Sequence, residues 1–389
     1  MGSLRSFRLS EGTEDERVAG SELDADVVII GGGPAGLAAA IAARKKGFAV
    51  VVADGAKPPV EKPCGEGMLP DTVTALQDLG VEFAYGEGHP FQGIAFLDQD
   101  ASAYANFVEG VGLGLCRPLL HERLIGRAQE CGVRLLWESP VASIDGHVVR
   151  LSNGVLRAKW IIGADGNGSR VRHWSGLEAS TPSTFRYATR RRYCVNPWSQ
   201  YMQIYWGSTT QAYVTPMGPD EVCVVVISEE RERACFDKAF AEFPGLEMKL
   251  RSAKLTGRER GAVTAMRSLS CVQRNNVALI GDASGGVDAI TGEGLRLAFR
   301  QAFALADAMI AEDLTLYQRA HRCLLRRARL MGQLMLWLGR NPRIRLRVIR
   351  AMQNNPELFS RLLAAHAGKT TPTEFLSTGA WLGWQLLSA

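Results

Sequence analysis

Apolar positions along the chain fall into three patterns. Short unbroken runs rich in β-branched residues, at 26–30, 48–53, 160–162 and 277–280, predict strands buried on both faces. Alternating runs at 185–193, 200–206, 211–215 and 221–227 predict a sheet packed on one side, followed by a helical stretch at 233–243. Helical spacing or composition predicts helices at 37–43, 118–131 and 295–310. Two amphipathic helices follow, one striped by Leu324, Ala328, Met331, Met335 and Leu338 and the other, after Asn341-Pro342, by Ile344, Val348 and Met352. Buried strands alternating with helices, interrupted by a block of alternating strands, predict the α/β class. The expectation is a Rossmann-like α/β domain with an inserted antiparallel sheet and a helical C-terminal region.

The joints between these elements carry the chemistry. Gly31-Gly32-Gly33-Pro34-Ala35-Gly36 joins the first strand to the first helix. Gly31 closes a tight turn, Gly33 lets backbone approach a pyrophosphate, and Gly36 lets helix pack on strand with its N-terminus toward the phosphates. Asp54 ends the second strand eighteen residues past Gly36, where an acid reaches ribose hydroxyls. The strand at 160–162 runs into Gly163-Ala164-Asp165-Gly166, and the strand at 277–280 ends in Gly281-Asp282. Thr291-Gly292-Glu293-Gly294 then opens the helix at 295–310. Gly110-Val111-Gly112-Leu113-Gly114 lacks the dinucleotide spacing, so no second Rossmann domain for a nicotinamide is expected.

In that order the glycine fingerprint, Ala164-Asp165-Gly166 and Gly281-Asp282 resemble the FAD-dependent oxidoreductases built like para-hydroxybenzoate hydroxylase. That superfamily includes aromatic monooxygenases, flavin halogenases and geranylgeranyl reductases, and the resemblance covers residues 24–310. It implies an FAD-binding domain at 24–85, 112–180 and 265–310 and a substrate domain at 86–111 and 181–264. A polar tail at 1–23 and the helical region at 311–389 complete the division. The resemblance places Gly31, Gly33, Pro34, Ala35 and Gly36 on the FAD pyrophosphate and Asp54 on the adenosine ribose. Arg117 would meet the flavin phosphate or ribityl region, Asp165 and Gly166 would shape the same pocket, and Gly281 with Asp282 would hold the ribityl chain. Gly292, Gly294 and Leu295 would offer backbone N–H groups at the flavin ring, where a positive helix end favours the reduced anion. Glu293 would face the substrate or cap the helix. NAD(P)H is the expected reductant, bound transiently near the flavin, with a reducing partner protein as the alternative.

The reaction expected first is NAD(P)H-linked monooxygenation of a lipophilic or aromatic small molecule, which needs a dry site and backbone donors rather than a protein nucleophile. The alternative is reduction of an isoprenoid or polyketide carbon-carbon double bond. Lys62-Pro63-Cys64-Gly65-Glu66-Gly67 resembles the Pro-Cys-Gly segment of geranylgeranyl reductases, and Cys64 or Glu66 would then protonate the carbon opposite the hydride. Tyr213-Val214-Thr215-Pro216 stands where halogenases carry a tryptophan pair, which speaks against halogenation. A flavin-binding protein without turnover is the reading from a different class. Tyr187, Tyr201, Tyr205, Trp206 and Tyr213 would line an apolar ligand site, or else pack across strands.

Composition adds one surprise. The 389 residues are 46% hydrophobic and 22% charged, the profile of a soluble globular protein of two or three domains. The eight cysteines form no Cys-x-x-Cys pair, which favours reduced thiols over zinc or disulfides, and no metal is expected. No secretory signal is readable in the first twenty residues, so a cytoplasmic protein is expected. A net charge of +5 gives no reason to expect nucleic acid. Yet residues 319–350 hold ten arginines and no acid, leaving −5 for the remainder. An arginine face on amphipathic helices predicts either docking on the acidic body or peripheral contact with an anionic membrane. The apolar tail at 375–387, with Trp381 and Trp384, is expected over the substrate cavity.

Overall fold

The computed structural model describes residues 23–59, 65–177, 184–367, 371, 373–374, 377–379 and 381. Cys64, the first 22 residues and most of the apolar tail, Trp384 included, lie outside the described residues. The nucleotide half begins with β1 (Ala25–Ile30), α1 (Pro34–Lys45) and β2 (Val50–Ala53). Next come β3 (Gly67–Met68), α2 (Pro70–Leu79), β4 (His89–Phe91), β5 (Gly93–Asp98), β6 (Ala101–Asn106) and β7 (Gly112–Gly114). α3 (Arg117–Glu130), β8 (Arg134–Leu136), β9 (Val141–Asp145), β10 (Val148–Leu151), β11 (Gly154–Gly163) and α4 (Arg170–Trp174) follow. β12 (Thr184–Cys194), β13 (Tyr201–Trp206), β14 (Thr210–Pro216) and β15 (Glu221–Ser228) precede α5 (Phe236–Glu242), α6 (Pro244–Leu250) and β16 (Lys254–Met266). The chain closes with β17 (Gln273–Arg274), β18 (Val277–Leu279), α7 (Gly294–Ile310), α8 (Leu314–Arg340), α9 (Pro342–Asn354) and α10 (Pro356–Ala367).

The first sheet runs β17-β18-β11-β1-β2-β8. Its strands from β18 to β8 are parallel, so the turns after β1, β2, β11 and β18 all emerge at one end. That parallelism brings Gly31, Asp54, Ala164 and Gly281 to one crevice, where doubly wound sheets take nucleotides. Val27, Val28 and Ile29 are fully buried beneath it, and the small Ala38–Ala43 face of α1 packs inward.

The second sheet runs β16-β12-β15-β14-β13-β5-β6. It departs from a purely antiparallel sheet at one pair, since β13 and β5 are parallel. The long excursion through the first sheet between those strands is what a parallel pairing requires. One face packs Phe96, Ile204, Trp206, Tyr213 and Val225 against Leu338, Val348, Ile349, Met352 and Phe359 of the C-terminal helices. The other packs Tyr193, Val214 and Val224 on α5 and α6.

The aromatic residues expected as one lining are therefore divided. Trp206 and Tyr213 face the C-terminal helices, whereas Tyr205 packs with the α5–α6 cluster and Tyr201 stacks edge-on with Tyr104 at 5.3 Å. Alternation along a strand sends neighbours to opposite faces, so five aromatics in one sheet cannot all share a cavity. The arginine face also needs correction at Arg345, which is buried in an ion pair with Asp98 at 2.7 Å.

Candidate functional site

Steric contacts knit the three motifs together. Gly31 has φ +112°, and a Cβ there would lie 2.5 Å from the Ala164 carbonyl oxygen. A Cβ on Gly36 would lie 1.9 Å from the Gly31 carbonyl oxygen, and one on Gly281, at φ +61°, would lie 2.7 Å from the Ala35 methyl. The fingerprint thus touches both the Ala-Asp-Gly and the Gly-Asp turns. Arg172 locks the last two to each other, donating to the Ala283 carbonyl at 3.0 Å and the Asn167 carbonyl at 2.8 Å. Asp165 accepts from Arg170 and Val171 N–H through Oδ2, which caps α4, while its Oδ1 is buried without a hydrogen bond among the described residues. Gly166 follows in a left-handed conformation at φ +80°.

At the end of β2, Asp54 Oδ2 accepts from Gly32 N–H at 2.6 Å. The carbonyl of Gly32 accepts from His121 Nε2 at 2.8 Å, so Nε2 carries the proton and Nδ1 is the acceptor. Burial pushes His121 below its ordinary value, and Arg117, one turn earlier on α3, acts in the same direction. Trp137 stacks edge-on with His121 at 6.1 Å, and a Cβ on Gly32 would run into its ring. His121 and Trp137 carry no sequence signal, because a lone aromatic residue has no spacing to mark it.

The Gly-Asp turn is a single turn of 3-10 helix at Gly281–Ser284, and Asp282 is exposed on it. From below, Ser284 Oγ pairs with His321 Nε2 at 2.9 Å, and Tyr317 O–H donates to the Leu279 carbonyl at 2.7 Å. Both supports come from α8. Burial, aided by Arg329 and Arg322, drives the His321 imidazole down to about 4.

α7 opens at Gly294 with no side-chain cap, and its first intrahelical donor is Leu297 N–H to the Glu293 carbonyl. The N–H groups before it have no helical partner. Gly292 and Gly294 are exposed, with nothing within 4 Å of where a Cβ would sit, and Leu295 lies beside them half-buried. Glu293 points inward instead. It is 1% exposed, paired with Arg296, and its Oε2 lies 3.8 Å from His366 Nδ1 of α10. His366 Nε2 donates to the Thr291 carbonyl at 3.1 Å, which leaves Nδ1 as an acceptor facing a carboxylate oxygen. A hydroxyl placed in the gap can donate to one of the two.

Glu66 takes up a different position. At φ +57° its buried carboxylate accepts from Arg192 Nε at 2.7 Å, Arg190 at 3.3 Å and Arg117 N–H at 3.1 Å. Both oxygens are engaged as acceptors, which ties the 65–66 segment to β12. Thr215 of the sheet donates to the Gly65 carbonyl at 2.8 Å, and Tyr213 to the Ile290 carbonyl at 3.3 Å. The inner face of the second sheet therefore closes directly onto the segments flanking the α7 N-terminus. A separate cleft of about 480 Å³, lined by Ser102, Tyr104, Asn106, Tyr201, Gln353 and Ser360, holds Tyr201 of the expected aromatic lining but none of the expected catalytic or cofactor-binding residues.

The residues present fit a bound FAD. Gly33 leaves open space before α1, whose N-terminus also lacks a side-chain cap, so backbone donors and a positive helix end are available to a pyrophosphate. The partnerless Asp165 oxygen, the exposed Asp282 and the open glycines of α7 are further groups that could hold such a molecule.

A family model described as an FAD binding domain matches residues 24–326. The chain is 26% identical over 320 residues to a protein named menaquinone reductase from Mycobacterium tuberculosis, covering 75% of this chain and 78% of that relative. It is 25% identical over 323 residues to ubiquinone hydroxylase UbiL of Rhodospirillum rubrum, covering 74% and 72%. Among solved structures, a flavoprotein/dehydrogenase from Cytophaga hutchinsonii superposes with a TM-score of 0.76 at 19% identity, over 88% of this chain and 92% of that one, a likeness of fold.

Proposed function

We propose that this chain, which belongs to the FAD binding domain family and is an FAD-dependent oxidoreductase, is an NAD(P)H-linked monooxygenase of a lipophilic ring compound bearing a hydroxyl group. The observation that carries this reading is the open, uncapped N-terminus of α7 set beside the buried Glu293–His366 pair and the apolar inner face of the second sheet. Bound FAD supplies two-electron redox chemistry. The protein's own residues do the rest. N–H groups at the start of α1 bind the pyrophosphate, Arg117 adds a cation, and Asp54 and Asp282 accept from the ribose and ribityl hydroxyls. N–H groups at the start of α7 stabilise negative charge where it develops. Glu293 and His366 hold a substrate oxygen and its proton, and the helices packed on the second sheet exclude water.

In this reaction NAD(P)H, a proton and dioxygen are consumed, one oxygen atom enters the substrate and the other leaves as water. The test is turnover of quinone-like and phenolic lipids under labelled dioxygen. The reading expects one labelled atom in the product and none when dioxygen is removed. A hydrogenated product formed without dioxygen overturns it and establishes the reductase reading, which the relative named menaquinone reductase favours. Both readings take a lipophilic substrate, and we read the arginine-rich helices as the side that meets a membrane surface.

A further inference from the structure

Among the described residues no helix is long and apolar enough to cross a membrane. α8 nonetheless carries two apolar stripes. Leu325, Ala328, Met331, Leu336 and Leu338 are buried against the body. On the outside Leu330, Leu334 and Trp337 are 53%, 41% and 48% exposed. Their spacing of four and three residues makes one continuous ridge along the helix. The exposed Arg319 and Arg326 extend that ridge toward the helix start, and Arg340, Arg343, Arg347 and Arg350 are exposed beyond its end.

Arg340 pairs with Glu229 at 2.9 Å, but Arg326, Arg343, Arg347 and Arg350 make no ion pair among the described residues. From Leu314 to Pro356 the sequence holds no carboxylate. This outer surface is therefore cationic, apolar at its centre and capped by an indole, while the inward stripe already serves the core. Leucines and a tryptophan gain nothing on a phosphate backbone, which disfavours a nucleic acid. They gain a great deal at the boundary between headgroups and acyl chains, where tryptophan settles and arginine binds phosphate.

The geometry points to the outer face of α8, with Leu330, Leu334 and Trp337 as the inserting ridge and the flanking arginines as phosphate ligands, as the docking surface for an anionic phospholipid bilayer. This rests on the peripheral contact proposed above and adds its residues and its lipid chemistry. α8 lies in the interfacial plane rather than across it. Its inner stripe joins α8 to Leu297 of α7 through Leu325 and Ala328 and to the second sheet through Leu338, and His321 joins it to Ser284 of the Gly-Asp turn, so docking sets the substrate side against the lipid.

The experiment is flotation of the full-length, FAD-loaded protein with vesicles of phosphatidylglycerol and phosphatidylcholine in equal parts, beside vesicles of phosphatidylcholine alone. Binding to the anionic vesicles, released by high salt and accompanied by a blue shift of tryptophan emission, is expected. The Arg326→Gln/Arg343→Gln/Arg347→Gln protein should bind about a hundredfold more weakly, at about fivefold per arginine. A Leu330→Ser/Leu334→Ser/Trp337→Ser protein should lose the emission shift while keeping its FAD and melting midpoint. Wild type that ignores anionic vesicles at low salt overturns the peripheral reading as well as this one. Wild type that binds, with the serine variant binding equally, overturns only the assignment to α8. A wild-type dimer in light scattering that the serine variant dissolves identifies a second copy as the occupant, and also overturns it.

Discussion

Arg345 and Asp98 form an ion pair at 2.7 Å, with side chains only 3% and 2% exposed, and join α9 to β5 across 247 residues of sequence. Removing one partner strands the other charge, so Asp98→Ala should cost about 3–5 kcal/mol in denaturant unfolding. An Asp98→Leu/Arg345→Met double variant should recover most of that loss, because an apolar pair of similar volume carries no desolvation penalty.

Gly33 and Gly36 should separate cofactor binding from folding. Nothing lies within 4 Å of a Cβ at Gly33, whose φ of −73° any residue adopts. Gly33→Val should therefore fold with an unchanged apoprotein melting midpoint and fail to retain yellow colour. Gly36→Val drives its Cβ into the Gly31 carbonyl oxygen and should give little folded protein at all, measured by circular dichroism of the purified fraction.

His321 should make stability fall in acid. Its imidazole, depressed to about 4 from an ordinary 6.5, stays neutral when folded and takes up a proton when unfolded. Its contribution is complete above pH ~6.5 and is lost as pH falls from there toward the folded value, about 2 kcal/mol between pH 7 and pH 5. His321→Asn should show a correspondingly flatter unfolding free energy over that interval, and an unchanged pH dependence would refute the assignment.

Glu293 and His366 should act on substrate rather than on the flavin. His366→Ala should raise KM for a hydroxylated substrate about tenfold, the worth of one hydrogen bond to a charged or buried partner. The rate of flavin reduction by NAD(P)H without substrate should stay as in wild type. A slower reduction with unchanged KM would place the pair at the cofactor instead.

Much of the nucleotide half was legible in the sequence because its constraints are local. Gly31, Gly33 and Gly36 are needed within one turn, and β-branched runs announce buried strands without help from distant residues. Even Asp54 and Asp282 could be placed by their distance from a strand end. The second sheet was legible as strands, but not as faces, which is why Tyr205 and Tyr213 were grouped although they point oppositely. Glu66, a candidate proton donor in the sequence, accepts from Arg190 and Arg192 in the fold, a contact across more than 120 residues that no spacing encodes.

By itself the sequence determined the class of fold, the nucleotide end and the arginine-rich terminus, since periodicity, turn glycines and charge are properties of neighbouring positions. Only the tertiary structure decided which partners those residues keep. It buried Arg345 on Asp98, set His366 opposite Glu293, put His121 under the glycine turn and left Leu330, Leu334 and Trp337 on the outside. The physical reason is that burial and pairing depend on what packs against a residue, and for each of these the neighbour arrives from a remote part of the chain.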